Sequence, residues 1–379
     1  MKILLVGEYS RLHNSLKEGL QALNHEVTLI AEGDYFKNYP ADIKLNRRFQ
    51  KGILKKFKVA FYKLFKLDIG SLILKQQFFS NAKYLKGYDV VQLINQNPLG
   101  IQPKDELEVI EFLRQNNTKL FLMACGTDYV SVNFAYNNPE MTSVLTPFFK
   151  DKINEKHYKH VLEKRSKESL RLYTYLKNTC NGIIASDMDY HIPYKNEKKY
   201  IGLIPNPVNM DKIKYLPLNT EGLKVIFHGI NRANYYKKGN DIFEEALKII
   251  EGQHKDKVKI IRAESMPYND YIKAYDEAHI LLDQIYAYDQ GYNALEAMAK
   301  GKVVFTGASH EFLNYYNLEE DEVCIHAEAD SRAIANKLED LILNPHNITA
   351  ISKRARAFIE NEHDYIKIAQ RYVATWTKN

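Results

Sequence analysis

The chain is poor in cysteine, with Cys125, Cys180 and Cys324 far apart in 379 residues. An odd, sparse set excludes a disulfide framework and fits a reducing compartment. No Cys-x-x-Cys pair or His/Cys cluster occurs, so no structural metal is expected. No run approaches the roughly 20 apolar residues that span a bilayer. The opening Met1–Glu8 is apolar only briefly before Gly7 and Glu8. It is too short for a signal-peptide core, lacks a small-residue cleavage site and reads as a buried first strand. A cytoplasmic location is the expectation. Low-complexity tracts and short-period repeats are also missing. What remains is ordinary composition, 45% hydrophobic and 26% charged with net charge +6. The length predicts roughly two or three domains' worth of core.

Strand-like runs alternate with helix-like ones, which favours parallel sheets with crossover helices. Strands are expected at Lys2–Val6, Glu26–Ile30, Val90–Leu93, Leu120–Met123 and Gly182–Ala185. A second series follows at Lys224–His228, Lys257–Arg262, Ile280–Leu282, Val303–Thr306 and Val323–His326. Helical patterns between them include Ser15–Leu23, Glu106–Gln115, Asp241–Ile250, Tyr268–Ala278, Ala294–Lys300 and Ile334–Leu343. The fold class is therefore α/β, with two doubly wound, Rossmann-like domains in tandem, 1–195 and 196–350. The boundary is placed in the polar segment 193–199. Residues 351–379 form terminal helices with no strand after them. Two such sheets facing each other make a cleft, and ligands sit at the carboxyl ends of the strands.

The stretch Asp289–Val304 carries the strongest chemical signal. A loop with Gly291 runs into a short helix, Gly301 stops it, and a β-branched strand follows. A helix N-terminus with unsatisfied N–H groups suits a phosphate. Glu296, about one turn inside, is placed to hold a ribose hydroxyl pair. The same pattern also describes an ordinary loop–helix–strand. After the strand ending at His228, Arg232 and Lys238 lie on one loop. Two cations there suit a pyrophosphate and the charge on a departing nucleoside diphosphate; a solvated basic loop is the other reading, and the one given to Lys237.

With these residues in place, the chain resembles the retaining glycosyltransferases of the GT-B fold, in the large family numbered four. That family pairs an Arg with a Lys-Gly at this spacing, here Arg232 and Lys238-Gly239. Leu295–Val304 matches the second half of its Glu, seven residues, Glu-Ala-Met-Ala-x-Gly-x-Pro-Val block. Ile204–Asn209 is similar to its Pro-Asn-Gly-Val-Asp junction segment, and Asp283-Gln284 fits a subset of these enzymes. The likeness is specific across about residues 200–310 and loose before that. Two positions depart from the pattern. The first Glu position, eight before Glu296, is Tyr288, with Asp289 one place late; Asp289, Tyr288 or Gln290 would meet the transferred sugar. Lys302 replaces the usual Pro before the strand.

The resemblance implies catalytic roles for Arg232 and Lys238 on the leaving diphosphate. It implies donor binding by Gly7, Glu296, Asp289, Gln290, Gly291, Tyr292 and Asn293, with Glu264 and Met266 in the loop that reads the nucleobase. Asp128 follows Cys125-Gly126-Thr127, where relatives show Gly-Ser/Thr-Asp after a His. Cys125 occupies that His position, so a His role does not transfer. Asp128 would orient an acceptor hydroxyl, or equally cap a helix. His13 and Asn14 in the first loop are assigned to acceptor binding. The implied activity is a hexosyltransferase-like transfer from a nucleotide-diphosphate sugar to a glycan or lipid-linked glycan, in cell-surface polysaccharide or glycolipid synthesis. No cofactor or metal is implied, because the cations supply the charge, and the leaving phosphate takes the acceptor's proton. The terminal helices would cross back toward the first domain. A sugar-nucleotide epimerase of the same fold and a non-catalytic sugar-nucleotide binder are the alternatives.

One segment falls outside this pattern. Between Asp42 and Asp68 there is no acid, while Lys44, Arg47, Arg48, Lys51, Lys55, Lys56, Lys58, Lys63 and Lys66 occur there (segment 44–66). Ile53, Leu54, Phe57, Ala60, Phe61, Leu64 and Phe65 recur among them at helical spacing. A cationic helix with an apolar face suits an anionic membrane surface; a helix packed on the core with a solvated basic face is the other reading. Nucleic acid is not an expected partner, since no binding module is recognisable and the patch is local.

Overall fold

The computed structural model describes residues 1–34, 37–264, 266 and 268–379, with only the backbone of Tyr268 and Asn269. The chain forms two compact units. The first comprises Met1–Asn133, His160–Pro207 and Tyr365–Asn379, the second Phe134–Lys159 and Val208–Asp364.

The first unit is built on a parallel sheet of seven strands among the described residues. These are β1 (Lys2–Val6), β2 (Glu26–Ala31), β3 (Ile43–Lys44), β4 (Val90–Leu93), β5 (Lys119–Ala124), β6 (Gly182–Ala185) and β7 (Tyr200–Leu203). Their order is β3-β2-β1-β4-β5-β6-β7. The second unit has β8 (Lys224–Ile230), β9 (Val258–Glu264), β10 (Ile280–Leu282), β11 (Val303–Thr306) and β12 (Ile325–His326), ordered β12-β11-β10-β8-β9 and also parallel. Every position of β4, β6 and β11 is buried, as a parallel sheet covered on both faces requires. In each sheet the winding direction reverses once: between β1 and β4 in the first, between β8 and β10 in the second. Loops leaving the carboxyl ends on either side of such a point diverge and leave a crevice there.

The two Rossmann-like sheets match the expected α/β class, and two strands were not foreseen. β3 has two residues, too few to show a pattern. β7 follows the polar stretch 193–199, which is the turn from the helix Met188–Tyr194 into that strand. Three of its four residues are only half-buried, and Gly202 sits at φ 142.

The chain's last helix, Tyr365–Lys378, belongs to the first unit and packs on the helix Leu12–Ala22. The contact is close because position 19 is Gly: a Cβ there would lie 2.2 Å from the Tyr365 carbonyl oxygen. Trp376 is fully buried, with its indole N–H donating to Gln92 Oε1 at 3.1 Å. Lys119 donates to the Trp376 carbonyl at 2.8 Å. Removing this side chain opens a cavity and strips Gln92 of its donor. Trp376→Ala is therefore expected to lower unfolding stability by about 3–5 kcal/mol in denaturant titration. A loss below about 1 kcal/mol would show that this helix is not part of the first unit's core.

Candidate active site

The second unit's crevice lies between β8 and β10, and the loops there bring distant residues together. Beyond β8, Asn231 accepts from the Ala233 amide and starts the short turn Arg232–Asn234. Gly239 has φ 74, and its missing Cβ would sit 2.7 Å from Ile285 Cδ1. The Ile285 amide donates to the Lys238 carbonyl at 3.0 Å. Lys238 is thus pressed against the segment that follows β10. Its ammonium meets Asp283 Oδ1 at 2.9 Å, and Asn293 Nδ2 donates to the same oxygen at 3.1 Å. Asp283 is buried, while Lys238 is partly exposed.

Arg232 is held by a different acid. Its Nε and Nη2 each donate at 2.6 Å to the two oxygens of Glu264, and both side chains are exposed. The hydrogen-bonded pairing raises the guanidinium above its ordinary range and holds the Glu264 carboxyl below its own. The guanidinium also lies 4.8 Å from the centre of the Tyr235 ring. Met266 is half-buried, and its neighbours Ser265 and Pro267 lie outside the described residues.

The loop before the helix Tyr292–Ala299 is fixed from below. A Cβ on Gly307 would lie 2.4 Å from the Ala287 carbonyl oxygen and 2.7 Å from that of Asp289. Buried Gln290 donates to the Gly307 carbonyl at 2.9 Å. Tyr288 and Asp289 are both buried on this loop. Gly291, with φ −71 and ψ 165, caps the helix without a side chain. Tyr292 is half-buried at the first helical position, and half-buried Glu296 lies one turn further in. Burial, then the charges of Asp283 and Glu296, push the Tyr271 phenol up to about 12. Asp283 Oδ2, both polar side-chain atoms of Asn240 and Thr306 Oγ1 are buried without a hydrogen-bond partner among the described residues. Buried polar groups are rarely left so. Asp283 follows β10 directly, Thr306 ends β11, and Asn240 opens the helix that the loop after β8 leads into. Such a set suits a polar ligand.

The first unit's crevice lies between β1 and β4. Gly7 has φ 87, and a Cβ there would fall 2.3 Å from Ile94 Cγ2 and 2.6 Å from the Pro98 carbonyl oxygen. Only Gly fits this turn. His13 is fully buried, and its Nδ1 lies 2.8 Å from the Gly7 carbonyl, so Nδ1 carries the proton. Burial lowers the imidazole to about 3 and keeps it neutral. Its Nε2 has no partner among the described residues. Asn14 gives both its backbone and side-chain N–H groups to Glu8 Oε2, at 2.8 and 2.6 Å. Glu8 directly follows Gly7, and its sequence position alone does not mark it as functional. It is buried, its Oε1 has no partner among the described residues, and burial raises it to about 7. Asp128 accepts from the Ser131 amide and hydroxyl, both at 2.8 Å, and from the Tyr194 hydroxyl at 2.6 Å. The two Ser131 bonds cap the helix Tyr129–Asn137.

Residues 218–374 match the family model described as "Glycosyl transferase-like". No curated protein matches the chain. Among solved structures, sucrose-phosphate synthase from Thermosynechococcus elongatus aligns with a TM-score of 0.63 at 15% identity, covering 100% of this chain and 99% of that one. Anabaena HepE, determined with UDP and glucose, aligns at 0.58 and 12% identity over 100% of both chains. A putative UDP-N-acetylglucosamine 2-epimerase from Listeria monocytogenes aligns at 0.53 and 11%, covering 98% and 94%. At such identities the likeness shows the fold alone. The fold is that of the GT-B glycosyltransferases; the glycosyl transferase-like segment spans most of the second unit and runs into the first unit's last helix.

The Glu8 carboxyl generates a pH prediction. Folded, it keeps its proton to about pH 7, whereas its ordinary value is 4.5. Between those values the folded state binds more protons, so this group's contribution to stability falls as pH rises. Glu8→Gln removes that slope. At pH 7.5 the variant should be the more stable, by at most about 3 kcal/mol, and at pH 4 the two should be equal. Parallel pH-dependent melting curves for the two proteins would overturn the assignment.

Proposed function

We infer that this protein is a glycosyltransferase, moving a sugar with retained configuration from a nucleotide-diphosphate sugar to a glycan or lipid-linked glycan. The observation that carries this is the cluster of Lys238, Asp283 and Asn293 at the point where the second sheet reverses, inside a glycosyl transferase-like segment. Lys238 uses one of its three donors on Asp283 and has others for a phosphate. Arg232 presents a planar fork that matches phosphate oxygens. The helix start beyond Gly291 adds backbone N–H groups, and Glu296 serves the ribose. Together they neutralise charge that grows on the leaving diphosphate, which is where such sites gain most of their rate. His13 and Asn14 are assigned to the acceptor. His13 Nε2 carries a lone pair that can accept from a sugar hydroxyl, while Asn14 holds Glu8 in place. Asp289 or Tyr288 takes the sugar contact that a Glu makes in the resembling enzymes.

The test is a thermal-shift series with nucleoside diphosphates and their sugars, on wild type and on Arg232→Ala. UDP-glucose is the first probe, because the structurally similar HepE is known with it. Arg232 is exposed, so the variant should fold normally. A hundredfold excess of ligand over Kd stabilises the native state by about 2.7 kcal/mol. That shift should appear with one nucleotide series and be largely lost in the variant. Acceptor-dependent release of the diphosphate should then accompany transfer, with the product's anomeric configuration read by NMR. Interconversion of the sugar nucleotide without acceptor would make the protein an epimerase. A shift with no turnover would make it a binding protein, and no shift with any nucleotide would remove the donor site.

A further inference from the structure

Within the basic segment 44–66, residues Gly52–Phe65 form a helix, and none of the helix's residues is buried. It is therefore not a core helix with a solvated basic face. At 3.6 residues per turn, Ile53, Leu54, Phe57, Phe61, Leu64 and Phe65 share an arc of about 120°. Phe57, Phe61 and Phe65 line up along it, with ring centres 6.2 and 4.6 Å apart. Ile53 is 83% exposed, Leu64 77% and Phe57 59%.

The side that faces the rest of the first unit is a different one. Lys58 lies 3.5 Å from Asp68, and Lys58, Val59 and Tyr62 look across a cavity of ≈ 340 Å³ toward Ser71, Ile101 and Gln102. The helix leans on the protein by this polar side and turns its aromatic and aliphatic arc outward. That inverts the usual arrangement of a surface helix, in which the apolar stripe faces the core.

Charge identifies what covers the arc. Of the nine cations in segment 44–66, Arg47 pairs with Glu32 and Lys58 with Asp68. Lys44 donates to the Tyr39 carbonyl. Arg48, Lys51, Lys55, Lys56, Lys63 and Lys66 have no acidic partner among the described residues. Exposed Phe and Leu beside unpaired Lys is the composition of a helix lying in a lipid interface, with rings at the headgroup boundary and ammonium groups among anionic headgroups. No helix among the described residues is long and apolar enough to cross a membrane, so any lipid contact by this helix is peripheral.

We propose that the helix Gly52–Phe65 docks the protein on an anionic lipid bilayer through Ile53, Leu54, Phe57, Leu64 and Phe65, with Lys55, Lys56 and Lys63 in the headgroup layer. The proposal rests on this helix alone and stands whether or not the transfer reading holds. The full-length protein is sedimented with vesicles of phosphatidylcholine, and with vesicles in which about a third of the lipid is phosphatidylglycerol. Binding is expected to the anionic vesicles, to weaken in high salt, and to be nearly absent on phosphatidylcholine. Lys55→Gln/Lys56→Gln/Lys63→Gln should weaken it roughly a hundredfold, at ~1 kcal/mol per basic residue. Phe57→Ser/Leu64→Ser should abolish it. Both variants change exposed side chains, so melting temperature and nucleotide response should stay those of wild type. Equal binding to both vesicle types, or binding indifferent to the Phe57→Ser/Leu64→Ser change, overturns the proposal. So does a concentration-dependent dimer that Phe57→Ser/Leu64→Ser dissolves, since a second copy would then cover the arc.

Discussion

Parallel pairing is the constraint on which the rest depends. Strands that all run one way end at one edge of the sheet, and each must be reached by a crossover helix. Where the winding reverses, neighbouring loops leave for opposite helical layers, and a crevice opens between them. In the first unit that place is β1 against β4, where Gly7, Glu8 and His13 gather. In the second it is β8 against β10, where Lys238 meets Asp283. The register of β8 on β10, with Ile280 opposite Ile226 and Leu282 opposite His228, sets the two loops at the same height. A chain separation of 45 residues becomes one ion pair of 2.9 Å.

The two crevices handle a buried acid in different ways. A carboxylate out of water must find a cation, find hydrogen-bond donors or keep its proton. Asp283 has a cation and an amide on one oxygen. Glu8 has only the N–H donors of its own helix start, and these do not offset its burial, so it is held near 7. The first crevice therefore contains a carboxyl that can donate or accept around neutral pH beside an imidazole whose remaining nitrogen, Nε2, can only accept. The second contains fixed charge. An acceptor hydroxyl suits the former and a diphosphate the latter.

Much of the fold was legible because β4, β6 and β11 are buried on both faces and read as short β-branched or aliphatic runs. β3 and β7 were not legible: one has two residues, the other is half-buried at a sheet edge after a charged turn. The spacing of Arg232, Lys238 and Glu296 carried the site's outline. Their partners were harder to see, because pairing Lys238 with Asp283 depends on strand register, and pairing Arg232 with Glu264 depends on how far β9 extends beside β8. Glu8 stood in plain view after the first strand, but its burial, which makes it interesting, is a tertiary fact. Asp128 followed by Tyr129 and Ser131 reads both as a cap and as a ligand, and the capping bonds are formed. Gln290, expected among the donor contacts, gives its amide N–H to the Gly307 carbonyl and so holds the loop, a bond that sequence alone does not show. For the basic helix, periodicity defined the apolar arc but not which side leans on the protein; that needed Lys58 against Asp68.

Two ion pairs on the loops beside the second crevice, Arg232–Glu264 and Lys238–Asp283, suggest a division of labour that follows from exposure. Arg232 and Glu264 are both in water, where such pairs are weak and exchange readily. A phosphate can take the guanidinium from Glu264 at small cost, because the released carboxylate is already hydrated. Lys238 is different. Drawing it from Asp283 would leave a buried carboxylate with only Asn293, and breaking a buried pair from one side is strongly destabilising. The favourable course is for Lys238 to keep Asp283 and add a phosphate to its remaining donors. In the proposed reaction Arg232 would then be the residue that captures the anion. Lys238 is the preorganised charge, already oriented before ligand arrives, and so needs no reorganisation as negative charge develops.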